Sequence, residues 1–204
     1  MTSPIPKATV RRLPIYLRFL EECGPNTPTV GSEDIARATH GSAVQVRKDL
    51  SHVRCSGVRG VGYEVDELRQ AIAKALGLGV TRRVALIGAG NLGTALAGYP
   101  GFPASGFRIC SVYDKNPRRV GMVLNGMAVR HVSRLLQDAV GEPYEIGVIA
   151  TPAAAAREVA DLLVEARVGA ILNFAGVTVQ VPPEITVRNV DLATEFRILS
   201  YYLT

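Results

Sequence analysis

The sequence predicts an α/β chain, with a small helical unit at the N-terminus and a doubly wound parallel sheet after it. Three observations carry this. Residues 1–83 hold long helical periodicities and all of the excess positive charge, thirteen Lys/Arg against eight Asp/Glu. Residues 84–204 carry ten of each sign and alternate short apolar runs with helical stretches. Where the pattern changes, the apolar run Val84–Ile87 leads straight into a glycine-spaced turn, Gly88-Ala89-Gly90-Asn91-Leu92-Gly93. A chain of 204 residues has room for two such units.

In the first unit, Val10, Leu13, Leu17 and Leu20 recur at helical spacing, with Thr9 as the expected N-cap. Pro14 should kink this helix or mark its first turns. Gly24-Pro25-Asn26-Thr27-Pro28 breaks it. Ser32 is placed to cap a second, short helix, with Glu33 and Asp34 favoured in its first turn. His40-Gly41 ends that helix. Ser42-Ala43-Val44-Gln45 has the spacing of a capping box that opens a third helix. Val46 and Leu50 then face inward, and Gln45, Arg47, Lys48 and Ser51 point elsewhere.

Two short helices joined by a tight turn fit a helix-turn-helix, and spacing alone fits an ordinary helical hairpin equally well. The next segment favours the former. Ser56-Gly57-Val58-Arg59-Gly60-Val61-Gly62-Tyr63 reads as a hairpin with Arg59 near its tip. Asp66 is expected to cap a fourth helix bearing Leu68, Ile72, Ala75 and Leu76, with Gly77 at its C-terminal end. Helix-turn-helix plus hairpin makes a winged helix-turn-helix, and its basic charge suits a polyanion. On this reading Ser42, Gln45, Arg47, Lys48 and Ser51 meet the major groove or phosphates of double-stranded DNA. Arg59 and Gly60 meet the minor groove.

The second unit reads as strands Val84–Ile87, Phe107–Tyr113, Met127–Val132, Ile146–Ala150, Ala170–Phe174 and Thr186–Val190. The intervening helices are Leu92–Ala97, one capped by Ser133, and Ala153–Ala166. Ala193–Leu203 closes the chain as a helix. This is a Rossmann-type alternation. Gly88-Ala89-Gly90-Asn91-Leu92-Gly93 matches G-x-G-x-x-G in the required strand–turn–helix setting. Gly88 allows the sharp turn, Gly90 clears space for a pyrophosphate, and Gly93 lets helix and strand approach. Asp114, about 20 residues on, can accept from ribose hydroxyls and would repel a 2′-phosphate. That favours NAD or NADH, with Lys115 beside it. Topology directs the nicotinamide half to Thr151, Pro152, Asn173 and Phe174. His131 reads as structural.

The three cysteines, Cys23, Cys55 and Cys110, form no CxxC pair, which argues against disulfides and zinc. Cys55, in a glycine-rich stretch, is a candidate accessible thiol. No apolar run is long enough to cross a bilayer, so no membrane role is expected. The first residues, MTSPIPKATVRRLP, lack the apolar core of a secretory signal, so the expected location is cytoplasmic. No catalytic constellation accompanies the cofactor turn, and no metal-ligand pattern appears. That favours a sensor over an NAD-dependent oxidoreductase. A nucleotide-binding module, for coenzyme A, is a further alternative.

The segments IPKATVRRLPIYLRFLEE, QVRKDLS, RGVGYEV, GAGNLGTALAGYPGF, ATPAAAAREVADLLVEA, ILNFAGV and VRNVDL span nearly the whole chain. Together they resemble the Rex family of bacterial redox-sensing transcriptional repressors. The resemblance implies a homodimer bound to a palindromic operator and released when NADH binds, with NAD competing. The genes implied are those of respiration and fermentation. It also implies residues 1–78 as the DNA-binding domain, 79–191 as the NAD(H)-binding domain and 192–204 as a C-terminal swapped helix for dimerisation. Arg18, Tyr99 and Asp191 match the family's switch residues. This chain has His40 where the family has a glycine between the two helices, and Gly176 where a proline is usual.

Overall fold

A computed structural model describes residues 5–203. It divides into two compact units, one up to Val80 and one from Thr81. In the first, α1 (Lys7–Glu22), α2 (Ser32–Ala38), α3 (Ala43–Leu50) and α4 (Val65–Ala75) surround one apolar core. A two-stranded antiparallel ribbon, β1 (Thr29–Val30) with β2 (Tyr63–Glu64), closes it. Leu13, Leu20, Ile35, Val46, Leu50, Leu68 and Ile72 are fully buried, so the helical stripes read from sequence face the core, except at Val10, which is exposed while Thr9 takes the buried place beside it.

Several local expectations are corrected. Thr9 does not cap α1, which starts two residues earlier behind Pro6. Its hydroxyl is buried and donates to Asp49 instead. α1 runs continuously through Pro14. Ser32 is the first residue of α2, not its cap. Gly31 holds the cap position, and its N–H donates to the Asp34 carboxylate at 3.0 Å. Glu64, not Asp66, caps α4 by accepting the Glu67 N–H at 2.6 Å. At α3 half of the capping box forms. Ser42 Oγ accepts the Gln45 N–H at 3.2 Å, but the Gln45 amide turns toward Asp49. Cys55 is buried, and burial pushes its thiol pKa up, so it is not an accessible thiolate.

Two of the sequence departures fall at left-handed backbone. His40, between α2 and α3, sits at φ 52°, a conformation glycine adopts without strain. Gly176 sits at φ 70°, where proline, fixed near −65°, cannot stand.

The second unit is a seven-stranded sheet. Its strands are β3 (Arg82–Ile87), β4 (Phe107–Asp114), β5 (Val123–Leu124), β6 (Met127–His131), β7 (Ile146–Ile149), β8 (Ala170–Asn173) and β9 (Thr186–Asn189). The order is β5-β6-β4-β3-β7-β8-β9. All pairings are parallel except the β5–β6 hairpin, which the sequence reading did not include. Leaving out β5, this is the doubly wound 3-2-1-4-5-6 order, with its reversal between β3 and β7. α7 (Leu135–Gly141) and α8 (Ala156–Glu165) share one core with Ala85, Ile87 and Ile149. α5 (Asn91–Ala97) lies against the other, built on Val84, Leu86, Val112 and Val148; α6 (Gly101–Ala104) follows it. A 3-10 turn, Val132–Arg134, precedes α7. His131 caps that turn by accepting the Ser133 N–H, so Ser133 is not the cap and His131 is structural. The chain ends in α9 (Leu192–Tyr201), which buries none of its residues. Among the described residues no helix is long and apolar enough to cross a membrane.

Candidate cofactor and nucleic-acid sites

A cavity of about 490 Å³ opens at the carboxyl ends of β3, β4 and β7, beside the point where the sheet order reverses. Gly88, Gly90, Asn91, Leu92, Asp114, Lys115, Thr151, Pro152 and Phe174 line it, all of them singled out from sequence. Gly88 and Gly93 are needed by geometry. Gly88 is at φ 106°, and a Cβ there would lie 2.4 Å from the Ala150 carbonyl oxygen. A Cβ on Gly93 would lie 1.8 Å from the Gly88 oxygen, so helix α5 could not seat on the turn. Gly90 faces the Arg119 guanidinium, 3.0 Å from where a Cβ would stand. Ala89 is buried beneath the turn and enters through its backbone.

Asp114 anchors this turn. Its carboxylate accepts the Ala89 N–H and the Asn116 N–H, each at 2.8 Å, and lies 3.8 Å from Arg119. Each oxygen keeps a lone pair, so the group can hold the turn and still accept from a diol. Lys115 pairs with Glu158 at 3.8 Å, joining two residues of the cavity wall. Thr151 Oγ is buried with no hydrogen-bond partner among the described residues. An unpaired buried hydroxyl is costly, so a polar ligand group in this cavity would relieve it. The residues therefore fit a dinucleotide: bare N–H groups at a helix start, an anchored carboxylate, an unpaired hydroxyl and an aromatic ring.

Asn173 is the correction here. It does not line the cavity. Its amide donates to the Val177 carbonyl and to Asn189, and accepts from the Ala175 N–H. It ties β8 to β9 and to the following turn. Arg119 also belongs to the cavity wall.

In the N-terminal unit the expected DNA-facing residues fall into two sets. The side chains of Lys48 and Arg59 are exposed, with no ion pair or hydrogen bond among the described residues; Ser42, Ser51 and Gly60 are also exposed, and the Ser51 hydroxyl donates to the Lys48 carbonyl at 2.7 Å. Arg59-Gly60-Val61 forms the tip of a tight hairpin, closed by Val58 N–H donating to the Gly62 oxygen at 2.7 Å. Gly62, at φ 104°, passes so near Val30 that a Cβ would lie 2.3 Å from its oxygen, which seats the hairpin on β1. Arg47 is already engaged, donating to Ser32 at 2.8 Å and pairing with Glu33 at 3.3 Å, so it staples α3 to α2. Gln45 is engaged as well, through Asp49.

Asp49 is the residue that the sequence reading missed. It is fully buried and accepts from Thr9 (2.8 Å), Arg12 (2.6 and 2.8 Å), Tyr16 (2.9 Å) and Gln45 (3.0 Å). Burial alone would raise its carboxyl pKa, but these donors outweigh burial and hold it at about 2. Burial and the same carboxylate push Tyr16 up to about 12. A signal was present. Thr9, Arg12 and Tyr16 fall at i, i+3 and i+7, polar groups on the stripe that holds Leu13 and Leu20.

The three residues matched to the family switch stand apart in kind. Arg18 is exposed and pairs weakly with Glu22 at 3.6 Å. Tyr99 is exposed, edge-on to Phe102. Asp191 caps α9, accepting from the Thr194 hydroxyl at 2.8 Å and the Ala193 N–H at 3.0 Å, which lowers its pKa.

Comparison with known proteins follows this division. Residues 4–51 match the family model described as "Putative DNA-binding protein N-terminus", and residues 80–177 match "CoA binding domain". The Redox-sensing transcriptional repressor Rex of Desulfitobacterium hafniense is 45% identical over 98% of this chain and 96% of its own. That of Rubrobacter xylanophilus is 38% identical over 100% and 95%. The crystal structure of RSP in complex with β-NAD+ and operator DNA superposes with a TM-score of 0.91, at 35% identity, over 98% of this chain and 93% of that one. RSP in complex with β-NADH gives a TM-score of 0.88 at the same identity. These relatives are repressors, not enzymes, and the chain belongs to the Rex family of redox-sensing transcriptional repressors.

Proposed function

We propose that this protein is a dimeric repressor that binds a palindromic operator when NADH is scarce and leaves it when NADH binds. It thereby reports the NADH/NAD ratio to genes of respiration and fermentation. The observation that carries the reading is the occurrence, in one chain, of an exposed reading helix with its wing and of a cavity fitted for a dinucleotide. RSP, similar over almost the whole length, is known with NAD+ and operator DNA and with NADH. A protein whose target is the chromosome is placed in the cytoplasm.

The dinucleotide supplies no bond-making here; it differs in charge and ring shape between two redox states. The chain's own groups do the discrimination. The turn Gly88–Gly93 and the start of α5 take the pyrophosphate, and Asp114 accepts from the adenosine ribose. Thr151, Pro152 and Phe174 face the ring end. Lys48 and Arg59 supply phosphate or groove contacts, and Arg59 enters a narrow minor groove. α9 serves dimerisation. It exposes Leu192, Phe196, Ile198 and Leu199 together, an apolar surface that a second copy would cover. Arg18, Tyr99 and Asp191 form a switch in which weak pairings exchange between two dimer arrangements. A ligand biases such an equilibrium only by its differential affinity for the two states.

Fluorescence anisotropy of labelled operator tests this. Added NADH is expected to lower the anisotropy of the complex, with NAD opposing it. Unchanged occupancy with both nucleotides would defeat the reading. A second reading, coenzyme A as ligand, is favoured by the family model over residues 80–177. It predicts a tighter calorimetric isotherm for coenzyme A than for NADH.

A further inference from the structure

We propose that Asp49 makes Gln45 a base reader of fixed polarity, and so sets sequence preference at one operator position without itself meeting DNA. This rests on the DNA-binding reading above. A free glutamine side chain can present its amide either way round, oxygen or nitrogen outward, at little cost. Gln45 cannot. Asp49 stands one turn further along α3 and is an ionised carboxylate saturated with donors from Thr9, Arg12 and Tyr16. It has no hydrogen to give. Only the Gln45 amide nitrogen can face it, and it does so at 3.0 Å. The carbonyl oxygen of Gln45 is therefore the atom left free of that contact. With it goes the one remaining N–H, in a fixed order.

Two further features make this more than a local contact. The backbone of Gln45 is held at the start of α3 by Ser42 Oγ at 3.2 Å, so main chain and side chain are both fixed before any ligand arrives. Asp49 itself is gripped from α1 by a two-point guanidinium contact with Arg12, so its oxygens cannot rotate. A preorganised reader loses little entropy on binding, and a fixed donor–acceptor order separates base pairs that a free amide would accept alike. Asp49 and Arg12 are positioning residues, and Gln45 is the group that touches the base.

The test begins with a randomised duplex library selected by the parent chain, which yields its own operator. Binding to every single-base variant of that operator is then measured for the parent, Gln45→Met, Asp49→Asn and the double variant. A thermal melt checks each for folding. At one base pair per half-site the parent is expected to discriminate on the order of tenfold. Gln45→Met and Asp49→Asn should both flatten that same position. The double variant should be no flatter than either single one, because the two residues act as one unit. The salt dependence of binding should stay with the parent's, since no phosphate contact is lost. If Asp49→Asn melts, Arg12→Lys takes its place; it keeps the charge and loosens the two-point grip. A uniform loss of affinity over all sequences in the hub variants, or an unaltered preference in Gln45→Met, overturns the inference and leaves the repressor reading intact. A parent that enriches no sequence overturns both.

Discussion

The two units treat a buried polar group in opposite ways. In the helical unit Asp49 is buried and more than satisfied, by four side chains from two helices. In the sheet unit Thr151 Oγ is buried at the cavity and satisfied by none among the described residues. A saturated network rigidifies what it joins, whereas an unpaired group stores a cost that a ligand can relieve. The reading helix is thus built to hold one shape, and the cofactor cavity is built to gain by being filled.

The comparison breaks first at the turn that shapes the cavity. Gly93→Ala puts a methyl 1.8 Å from the Gly88 oxygen, and backbone, not a flexible side chain, is what it meets. We expect a loss of about 3 kcal/mol or more from the sheet unit, with NADH binding abolished in calorimetry. Helices α1 to α4 should keep their hydrogen-exchange protection, because their core is separate. Loss of protection in both units together would show that they do not fold as independent bodies.

Next in size is Asp49→Ala. It strands Arg12, Thr9 and Tyr16 without their common acceptor. Removing one partner of a buried pair costs about 3–5 kcal/mol, and Arg12, one-third exposed (34%), recovers part of that from water. A loss of about 2–3 kcal/mol is expected in a urea melt followed through the α1 and α3 amides. Acid gives the same hub a pH signature. The Asp49 carboxyl is held at about 2 when folded, against an ordinary value of 3.8. Its stabilisation is therefore complete above the ordinary value and is lost as pH falls from there toward about 2. Hydrogen exchange of α3 should accelerate across that window in the parent. A parent that behaves like Asp49→Asn there would show that the hub adds nothing.

How much of this was legible in the sequence depends on what each element needs. Strand and helix stripes were readable because burial follows period, and Leu13, Leu20, Val46, Leu50 and Ile87 fell where the periodicity placed them. The glycine turn was readable because backbone geometry leaves no other residue possible at Gly88 and Gly93. Asp114 was readable from its distance to that turn, although its grip on the Ala89 N–H was not. Caps were misplaced by one to three residues at Thr9, Ser32, Asp66 and Ser133, since helix ends are fixed by local backbone geometry as much as by the nearest side-chain oxygen. The Asp49 hub was missed because its members lie about 40 positions apart, and only the packing of α1 on α3 brings them together. Asn173 was misassigned for the same reason. Its partner Asn189 arrives from a strand sixteen residues on.

The smallest effect tests the contrast most sharply. Thr151→Val replaces a hydroxyl that has no partner by a methyl of similar size. In an ordinary buried site, losing a hydroxyl loses a hydrogen bond and stability with it. Here nothing is lost in the ligand-free chain, and burying a methyl in place of an unpaired oxygen is neutral or slightly stabilising. The cost falls on the complex. If a polar group of the dinucleotide meets Thr151, affinity for NADH should drop roughly fivefold to tenfold, the worth of one neutral hydrogen bond. Melting temperature without ligand should hold or rise. The pair of signs matters more than either magnitude. Weaker binding together with lower intrinsic stability would mean that Thr151 is already partnered within the fold. Unchanged binding with raised stability would mean that the ligand passes the hydroxyl by, and the cavity would then owe its affinity to the glycine turn and Asp114 alone.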